Sequence, residues 1–251
     1  MTRVLVTGSA GILGSRIVTR LVEHDVEVTA LVRTGTIVSH PTGVRVVEGD
    51  VRRRADVDPL VRSADVVIHA ATSARRFRSV DITGTQMVGY ACAETTTHLI
   101  FPSMVGAEQS AFPYLASKRE AEETLTRIPG LPWTIQRTTQ FHSTVDDLLA
   151  ARFVPLAPRT PLQPVDSSEV AARLVGLVLA GPSGRVADFG GPEQLQVREL
   201  AEIRRSVLGS AGRILPIPAL GPLEAIADGA QLVTGGDQGR TTYRQWLQTR
   251  I

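Results

Sequence analysis

Val4-Leu5-Val6 is a short apolar run closed by Thr7-Gly8, and apolar residues at helical spacing follow from Ile12 to Leu21. Between them Gly8, Gly11 and Gly14 recur at intervals of three. This is a strand, a glycine turn and a helix, and the same order recurs along the chain. The periodicity predicts further strands over Val26 to Val32, Val44 to Val47, Val66 to Ile68, Leu99 to Phe101 and Trp133 to Gln136. Helices are expected at roughly Val57 to Arg62 and Asp81 to Glu94, with another carrying Tyr114 and Lys118. Strands alternating with helices imply an α/β fold, a parallel sheet covered on both faces.

The glycine turn also implies a ligand. Backbone amides and a helix N-terminus in such a turn can approach a pyrophosphate, and the last glycine lets helix and sheet pack closely. Gly8, Ser9, Gly11, Ile12 and Leu13 are therefore expected to bind a dinucleotide. The end of the second strand selects which one. A carboxylate there would accept from a ribose 2′-hydroxyl and repel a 2′-phosphate, whereas this chain has Val32-Arg33-Thr34. Arg33 can hold the phosphate through a charge-assisted contact, which favours NADPH/NADP+ over NADH. Asp50 and Val51, ending the third strand, are expected at the adenine. Ala70, Ala71 and Thr72, ending the fourth, offer small side chains where a nicotinamide ribose passes.

With 251 residues, 43% of them hydrophobic, the chain can bury one large core or a core with a small lobe. Beyond about residue 140 proline and glycine rise, through Pro155, Pro158, Pro161 and Pro164. Helices are expected there at Ser168 to Leu179 and Arg198 to Leu208, with a strand near Ala187 to Phe189. The expected organisation is a single domain over 1–251, with a dinucleotide-binding core over 1–140. Residues 141–251 form mostly a smaller substrate-binding lobe that returns in places to the core. Cys92 is the only cysteine and no histidine cluster accompanies it, so neither a disulfide nor a metal is expected, and a reducing cytoplasm fits best. Residues 1–7 enter a strand pattern directly, and no run of about eighteen apolar residues occurs, which argues against secretion and membrane insertion.

The formal charge is only +2, and the basic runs Arg52-Arg53-Arg54 and Arg75-Arg76-Phe77-Arg78 are short and soon interrupted by Asp56, Asp58 and Asp81. They are expected to be solvated faces, and nucleic acid is not an expected partner. A small-molecule substrate is. Monomer and homodimer stay open, because a dimerising helix face and a core helix face share one periodicity.

Lys118 is the only lysine; the other 26 basic residues are arginine. It follows Tyr114 by four residues, which puts both on one face of a helix. An ammonium there can lower the phenol pKa from its reference near ~10 and make Tyr114 a proton donor near neutrality. Arginine's broad fork cannot replace that compact charge. The same spacing also suits a plain helix surface.

Thr7-Gly8-Ser9-Ala10-Gly11-Ile12-Leu13-Gly14, His69-Ala70-Ala71, Tyr114 to Lys118 and Gly190-Gly191-Pro192-Glu193 together resemble an atypical short-chain dehydrogenase/reductase of the NmrA-like group, over nearly the whole chain. The resemblance implies a doubly wound parallel Rossmann sheet with a small C-terminal substrate lobe. It implies Tyr114 as proton donor, Lys118 as the group that holds the nicotinamide ribose, and Ser103 as polariser of the substrate oxygen. Ser103 precedes Tyr114 by only eleven residues, fewer than in extended members. The shortened loop from Met104 to Pro113 either shifts Tyr114 or brings Met104 and Val105 over the nicotinamide. The family lines its substrate pocket after the sixth strand, where this chain has Gln140, Phe141 and His142. His142, with a reference pKa near ~6.5, suits proton transfer, although a lone loop histidine is more often a packing residue. His69 is expected to pack and Asp166 to cap a helix.

The expected function is an NADPH-dependent oxidoreductase passing hydride to a small carbonyl, conjugated alkene or quinone. Two alternatives share the cofactor site. A sensor of the NADPH/NADP+ ratio would need the glycine turn and Arg33 but has no use for the Tyr114–Lys118 pair. An isomerase, dehydratase or cyclase would keep the fold without net redox.

Overall fold

The computed structural model describes residues 1–73, 78–215 and 217–251. Six strands come first: β1 (Thr2–Thr7), β2 (Val26–Val32), β3 (Arg45–Glu48), β4 (Val66–His69), β5 (His98–Met104) and β6 (Trp133–Thr138). With them alternate α1 (Ile12–Val22), α2 (Arg54–Arg62), α3 (Thr85–Thr95) and α4 (Pro113–Arg127). Then follow α5 (His142–Ala150), β7 (Phe153–Val154), β8 (Pro161–Leu162), α6 (Ser167–Ala180), β9 (Gly184–Arg185), β10 (Phe189–Gly190), β11 (Leu195–Gln196), α7 (Val197–Leu208), β12 (Arg213–Ile214), α8 (Glu224–Ala227), β13 (Asp237–Gln238) and α9 (Tyr243–Gln248). The chain divides into two compact units. One holds Met1–Ser103, Ser117–Gln136 and Ala171–Val186; the other holds Met104–Ala116, Arg137–Val170 and Ala187–Ile251.

In the first unit the strands lie in the order β3-β2-β1-β4-β5-β6, with β9 beside β6. β1 pairs in parallel with β2 on one side, Val4 opposite Val28, and with β4 on the other, Val4 opposite Val66. Strand order thus reverses at β1, the mark of a doubly wound Rossmann sheet. Val4, Leu5 and Val6 are all buried, as a central parallel strand covered on both faces requires. On α1 the buried residues Gly14, Ile17, Val18 and Leu21 make a single stripe at helical spacing. Leu5, Val67, Leu99, Phe101 and Ile135 pack with Val57 and Val61 of α2 and with Val88, Ala91 and Cys92 of α3.

In the second unit β10 pairs with Thr138, at the end of β6, and with β13. β8 pairs with β11, and β7 with β12. The core of this unit gathers Val145 and Leu149 of α5, Leu200 and Ala201 of α7, and Tyr243, Trp246 and Leu247 of α9.

Most boundaries shift by a residue or more from the pattern read in the sequence, β5 for example running on to Met104, and four differences have a visible cause. α2 starts at Arg54, since its first turn is polar and carries no periodic signal until Val57. The helix expected from Asp81 begins as a wider π-type turn over Arg78–Gly84 before α3 takes over at Thr85. The strand expected near Ala187 to Phe189 is Phe189–Gly190, where its parallel partners lie. α5 has no counterpart in the sequence pattern. Its buried stripe is His142, Val145, Asp146 and Leu149, and two polar members out of four hide the helical period.

Of the basic runs, Arg52, Arg53 and Arg54 pair with Asp50, Asp56, Asp58 and Glu94 around the start of α2. Arg75, Arg76 and Phe77 lie outside the described residues. No helix among the described residues is long and apolar enough to cross a membrane.

Candidate functional site

Parallel strands bring their carboxyl ends to one edge of a sheet, and where strand order reverses the connections part and leave a crevice. In the first unit a cavity of about 310 Å³ lies there. Gly8 and Gly11 line it from the turn after β1, and Arg33 from the end of β2. Asp50 and Val51 contribute from the end of β3, and Ala70, Ala71 and Thr72 from the end of β4. Thr36, Arg52 and Ser73 also line it, none of them among the site residues expected from the sequence.

The turn requires its glycines. Gly8 has φ +67°, and a Cβ there would lie 2.6 Å from the Ala71 backbone. A Cβ on Gly14 would lie 2.2 Å from the Gly8 carbonyl oxygen, so α1 can close onto the turn only without one. Gly11 donates its N–H to the Gly8 carbonyl at 2.9 Å and stands at the N-cap of α1 with no side chain capping the helix. The first turn of α1 carries no acid. Uncapped amides at the positive end of a helix, with no carboxylate to repel an anion, suit a pyrophosphate.

At the β2–β3 end of the cavity Arg33 is exposed and, among the described residues, has no ion-pair partner. Its carbonyl accepts from Thr36 N–H at 2.9 Å, in a turn that Gly35 closes with φ +75°. Asp50, by contrast, is engaged. Its Oδ1 accepts from the backbone N–H of Arg52 at 3.0 Å and from Arg52 Nε at 2.9 Å, and a terminal guanidinium nitrogen of Arg52 pairs with Oδ2. Hydrogen bonding to Arg52 holds the Asp50 carboxyl down at about 2.

At the β4 end the polar groups are buried. Lys118 Nζ lies 2.9 Å from Asp81 Oδ1, with side-chain exposures of 6% and 0%. Asp81 Oδ1 also accepts from Thr72 Oγ1 at 2.5 Å, and Oδ2 from the backbone N–H of Ser73 at 3.0 Å. The ammonium sits 5.2 Å from the centre of the Phe101 ring. Thr85 Oγ1 donates to the Asp81 carbonyl at 2.6 Å, so it can only accept from His69 Nε2, 3.1 Å away. That fixes the His69 tautomer: Nε2 carries the proton, and Nδ1 accepts from Thr7 Oγ1 at 2.7 Å. Burial, with the Lys118 charge nearby, pushes the His69 pKa down to about 3. His69 is a neutral residue packed beside Phe101.

The remaining candidates are dispersed. Ser9 is buried and turns its hydroxyl onto the Leu31 carbonyl at 3.2 Å; Ile12 is 47% exposed and Leu13 half-buried. None of the three lines the cavity. Ser103, near the end of β5, is buried, and its Oγ has no hydrogen-bond partner among the described residues. Tyr114 is half-buried in the first turn of α4, one turn before Lys118.

In the second unit Met104 is half-buried, and Val105 is buried with its N–H on the Thr138 carbonyl at 3.0 Å. Gln140 Nε2 donates to Gln231 Oε1 at 2.6 Å, and Phe141 forms a bridge with Val165. His142 is 1% exposed, with ring centroids 5.8 Å from Tyr243 and 5.7 Å from Trp246. Its Nε2–H donates to the Thr241 carbonyl at 3.0 Å, and burial lowers its pKa. The group with the most obvious chemistry in that loop is thus a neutral packing residue of α5. Asp166 caps the start of α6 by accepting from Ser168 N–H.

Asp81 is the residue of this site that no motif signals. It lies 37 positions before Lys118 (118 − 81), and nothing in its local sequence marks an acid that folds inward. Arg52 carries a usable signal, standing two residues after Asp50.

Residues 8–179 match the model of a family described as NAD(P)H-binding. The chain is 28% identical over 213 residues to the (4-alkanoyl-5-oxo-2,5-dihydrofuran-3-yl)methyl phosphate reductase of Streptomyces griseus, covering 82% of this chain and 74% of that protein. It is 27% identical over 245 residues to the ceramide reductase of Caulobacter vibrioides, covering 88% and 75%. Among solved structures, the UDP-glucose 4-epimerase of Thermus thermophilus in complex with NAD superposes with a TM-score of 0.73 at 24% identity, over 98% of each chain. The chain belongs to the NAD(P)H-binding family, as an atypical short-chain dehydrogenase/reductase built around a nicotinamide cofactor.

Proposed function

We propose that the protein is an NADPH-dependent reductase of a small organic carbonyl, conjugated alkene or quinone. The observation that carries the cofactor choice is the pairing pattern at the β2–β3 end of the cavity. Arg33 stands exposed at the end of β2, where a carboxylate would repel a 2′-phosphate, and the nearby Asp50, at the end of β3, is engaged by Arg52. The reductase reading draws support from two relatives named as reductases, one of them for an oxo-dihydrofuran that bears an alkanoyl group.

In this reading bound NADPH supplies the hydride that adds to the electrophilic carbon. The amides of the glycine turn and the N-terminus of α1 hold the pyrophosphate, and Lys118 holds the ribose hydroxyls. Tyr114 Oη gives its proton to the oxyanion or enolate that hydride addition creates. Ser103 Oγ, buried and without a partner among the described residues, donates to the same oxygen. Met104, Val105, Gln140 and Phe141 shape the substrate space, and His142 supports it by packing.

The test is a calorimetric titration of wild type and Arg33→Ala with NADPH and NADH. Loss of a charge-assisted contact should weaken NADPH by about tenfold or more and leave NADH nearly unchanged. Equal weakening of both would refute the 2′-phosphate role, and no binding of either cofactor to wild type would end the reductase reading. With an enone, quinone or ketone substrate found by screening, Tyr114→Phe should lower turnover by about 100-fold while cofactor affinity holds. A variant that turns over at the wild-type rate removes Tyr114 from the chemistry.

A further inference from the structure

We propose that Arg52 is the residue that reads the purine base of the dinucleotide, and that Asp50, held by Arg52, takes no part in recognising the base amino group. The inference rests on reading the cavity as a nicotinamide-dinucleotide site and deepens that reading at its β3 end.

A carboxylate suits adenine because it accepts hydrogen bonds and the 6-amino group of adenine donates them. Asp50 has no such capacity left. A carboxylate offers about four lone-pair positions, and here one residue meets them all. Oδ1 accepts from the Arg52 backbone N–H at 3.0 Å and from Arg52 Nε at 2.9 Å. Oδ2 lies 3.0 Å from the same Nε and pairs with a terminal nitrogen of the guanidinium. With its carboxyl held down at about 2, Asp50 stays ionised and cannot donate instead. The turn beneath is fixed as well. Asp50 N–H donates to Asp56 Oδ2 at 3.0 Å, and the Asp50 carbonyl accepts from Arg53 N–H at 2.9 Å.

Arg52 is in the opposite condition. A guanidinium carries five N–H donors in a planar fork, and the pairing with Asp50 occupies only the edge formed by Nε and one terminal nitrogen. The other donors have no partner among the described residues, and Arg52 lines the cavity together with Asp50 and Val51. The carboxylate fixes the plane of the fork, so its outer edge needs little further ordering when a base arrives.

A carboxylate and a fork of N–H donors ask for opposite partners. Arginine donors pair with both O6 and N7 of a 6-oxopurine; on adenine they find N7 but meet an amino group that also donates. The β3 end of the cavity therefore favours a purine whose 6-position accepts over one whose 6-position donates. The reduced nicotinamide hypoxanthine dinucleotide phosphate is such a ligand. It differs from NADPH at the 6-position of the purine, where an oxygen replaces the amino group, and carries the same charge near neutrality. The ratio of the two affinities thus cancels the phosphate, ribose and nicotinamide contacts and isolates the base edge.

The experiment is a calorimetric titration of the full chain, near neutral pH, with NADPH and with its hypoxanthine counterpart. Wild type, Arg52→Ala and the double variant Arg52→Ala/Asp50→Ala are compared, with far-ultraviolet circular dichroism to check the fold. Wild type should bind the hypoxanthine form at least as tightly as NADPH. Arg52→Ala releases the Asp50 oxygens and should tip the ratio towards NADPH by about fivefold or more, the scale of one base contact. In the double variant that gain should vanish. The wild-type ratio carries the test even if a variant does not fold. Wild type that binds NADPH the more tightly of the two overturns the proposal, as does a ratio that Arg52→Ala leaves unchanged or a gain that persists without Asp50. Each of these leaves the cofactor reading intact, because NADPH is bound. Wild-type protein that binds neither dinucleotide overturns both.

Discussion

Replacing Lys118 with methionine is expected to destabilise the protein by about 3–5 kcal/mol, the usual cost of leaving one partner of a buried ion pair alone. The Asp81 carboxylate would stay inside, with Thr72 and Ser73 donating to it but no opposite charge beside it among the described residues. For a chain of this size such a loss lowers the melting temperature by about 6–20 °C. The effect differs from a packing defect in one respect. Combining Lys118→Met with Asp81→Asn removes both charges, and the double variant should recover most of the lost stability, because a neutral pair has no desolvation penalty to offset. Calorimetric melting of the two single variants and the double variant measures this. A single Lys118→Met that melts within about 1 °C of wild type would show that Lys118 is not held as a buried charge.

The second large effect is an acid lability set by buried histidines. His69 is pushed down to about 3 and His98 to about 4, both chiefly by burial. Around His69 the charged neighbours are Lys118, which lowers its pKa further, and Asp81, which raises it. His98 Nε2 shares a hydrogen bond of 2.8 Å with Thr134 Oγ1, which also accepts from Ser183 N–H. In the unfolded chain each histidine titrates near ~6.5, so between that pH and the folded values the unfolded state binds more protons. Stability therefore rises with pH across the window. It is complete above about 6.5 and falls as the pH drops towards 4, by on the order of 1 kcal/mol per pH unit for each histidine. Asp50 and Asp65 have lowered pKa values, so their contribution is lost only below the ordinary carboxylate range, and their partial exposure keeps it small. Urea midpoints measured from about pH 7.5 to about pH 4.5 should decline steadily, and His69→Asn should flatten the slope. A midpoint constant over that range would mean that these histidines are not buried neutral.

The cofactor end of the molecule is legible in the sequence because its signals are local. Val4-Leu5-Val6 declares a strand by an unbroken apolar run, and Gly8, Gly11 and Gly14 declare a turn that a Cβ would block. The sequence pattern and the structure agree on the ends of β2, Val26 and Val32, since its apolar pattern is framed by polar residues on both sides. Arg33, Asp50, Ala70 and Thr72 can be placed because each ends a strand, and parallel strands share one carboxyl edge.

Where a buried position holds a polar residue, this legibility ends. His142 and Asp146 occupy the inner stripe of α5, so the helix carries no apolar period, and in the sequence His142 has the look of a loop residue free for chemistry. The direction taken by Ser9, inward onto Leu31, depends on the strand beside it rather than on its place in the glycine motif. Hydrophobic periodicity and glycine geometry act over a few residues, and so the sequence by itself determined the order of strands and helices, the turn that faces the phosphates and the Tyr114–Lys118 spacing. Only the tertiary structure decided that Lys118 meets Asp81, that Asp50 is engaged by Arg52 while Arg33 has no ion-pair partner among the described residues, and that His69, His98 and His142 are neutral. Those outcomes depend on which charges the sheet brings together and how far it removes them from water, and neither quantity is written in the local pattern.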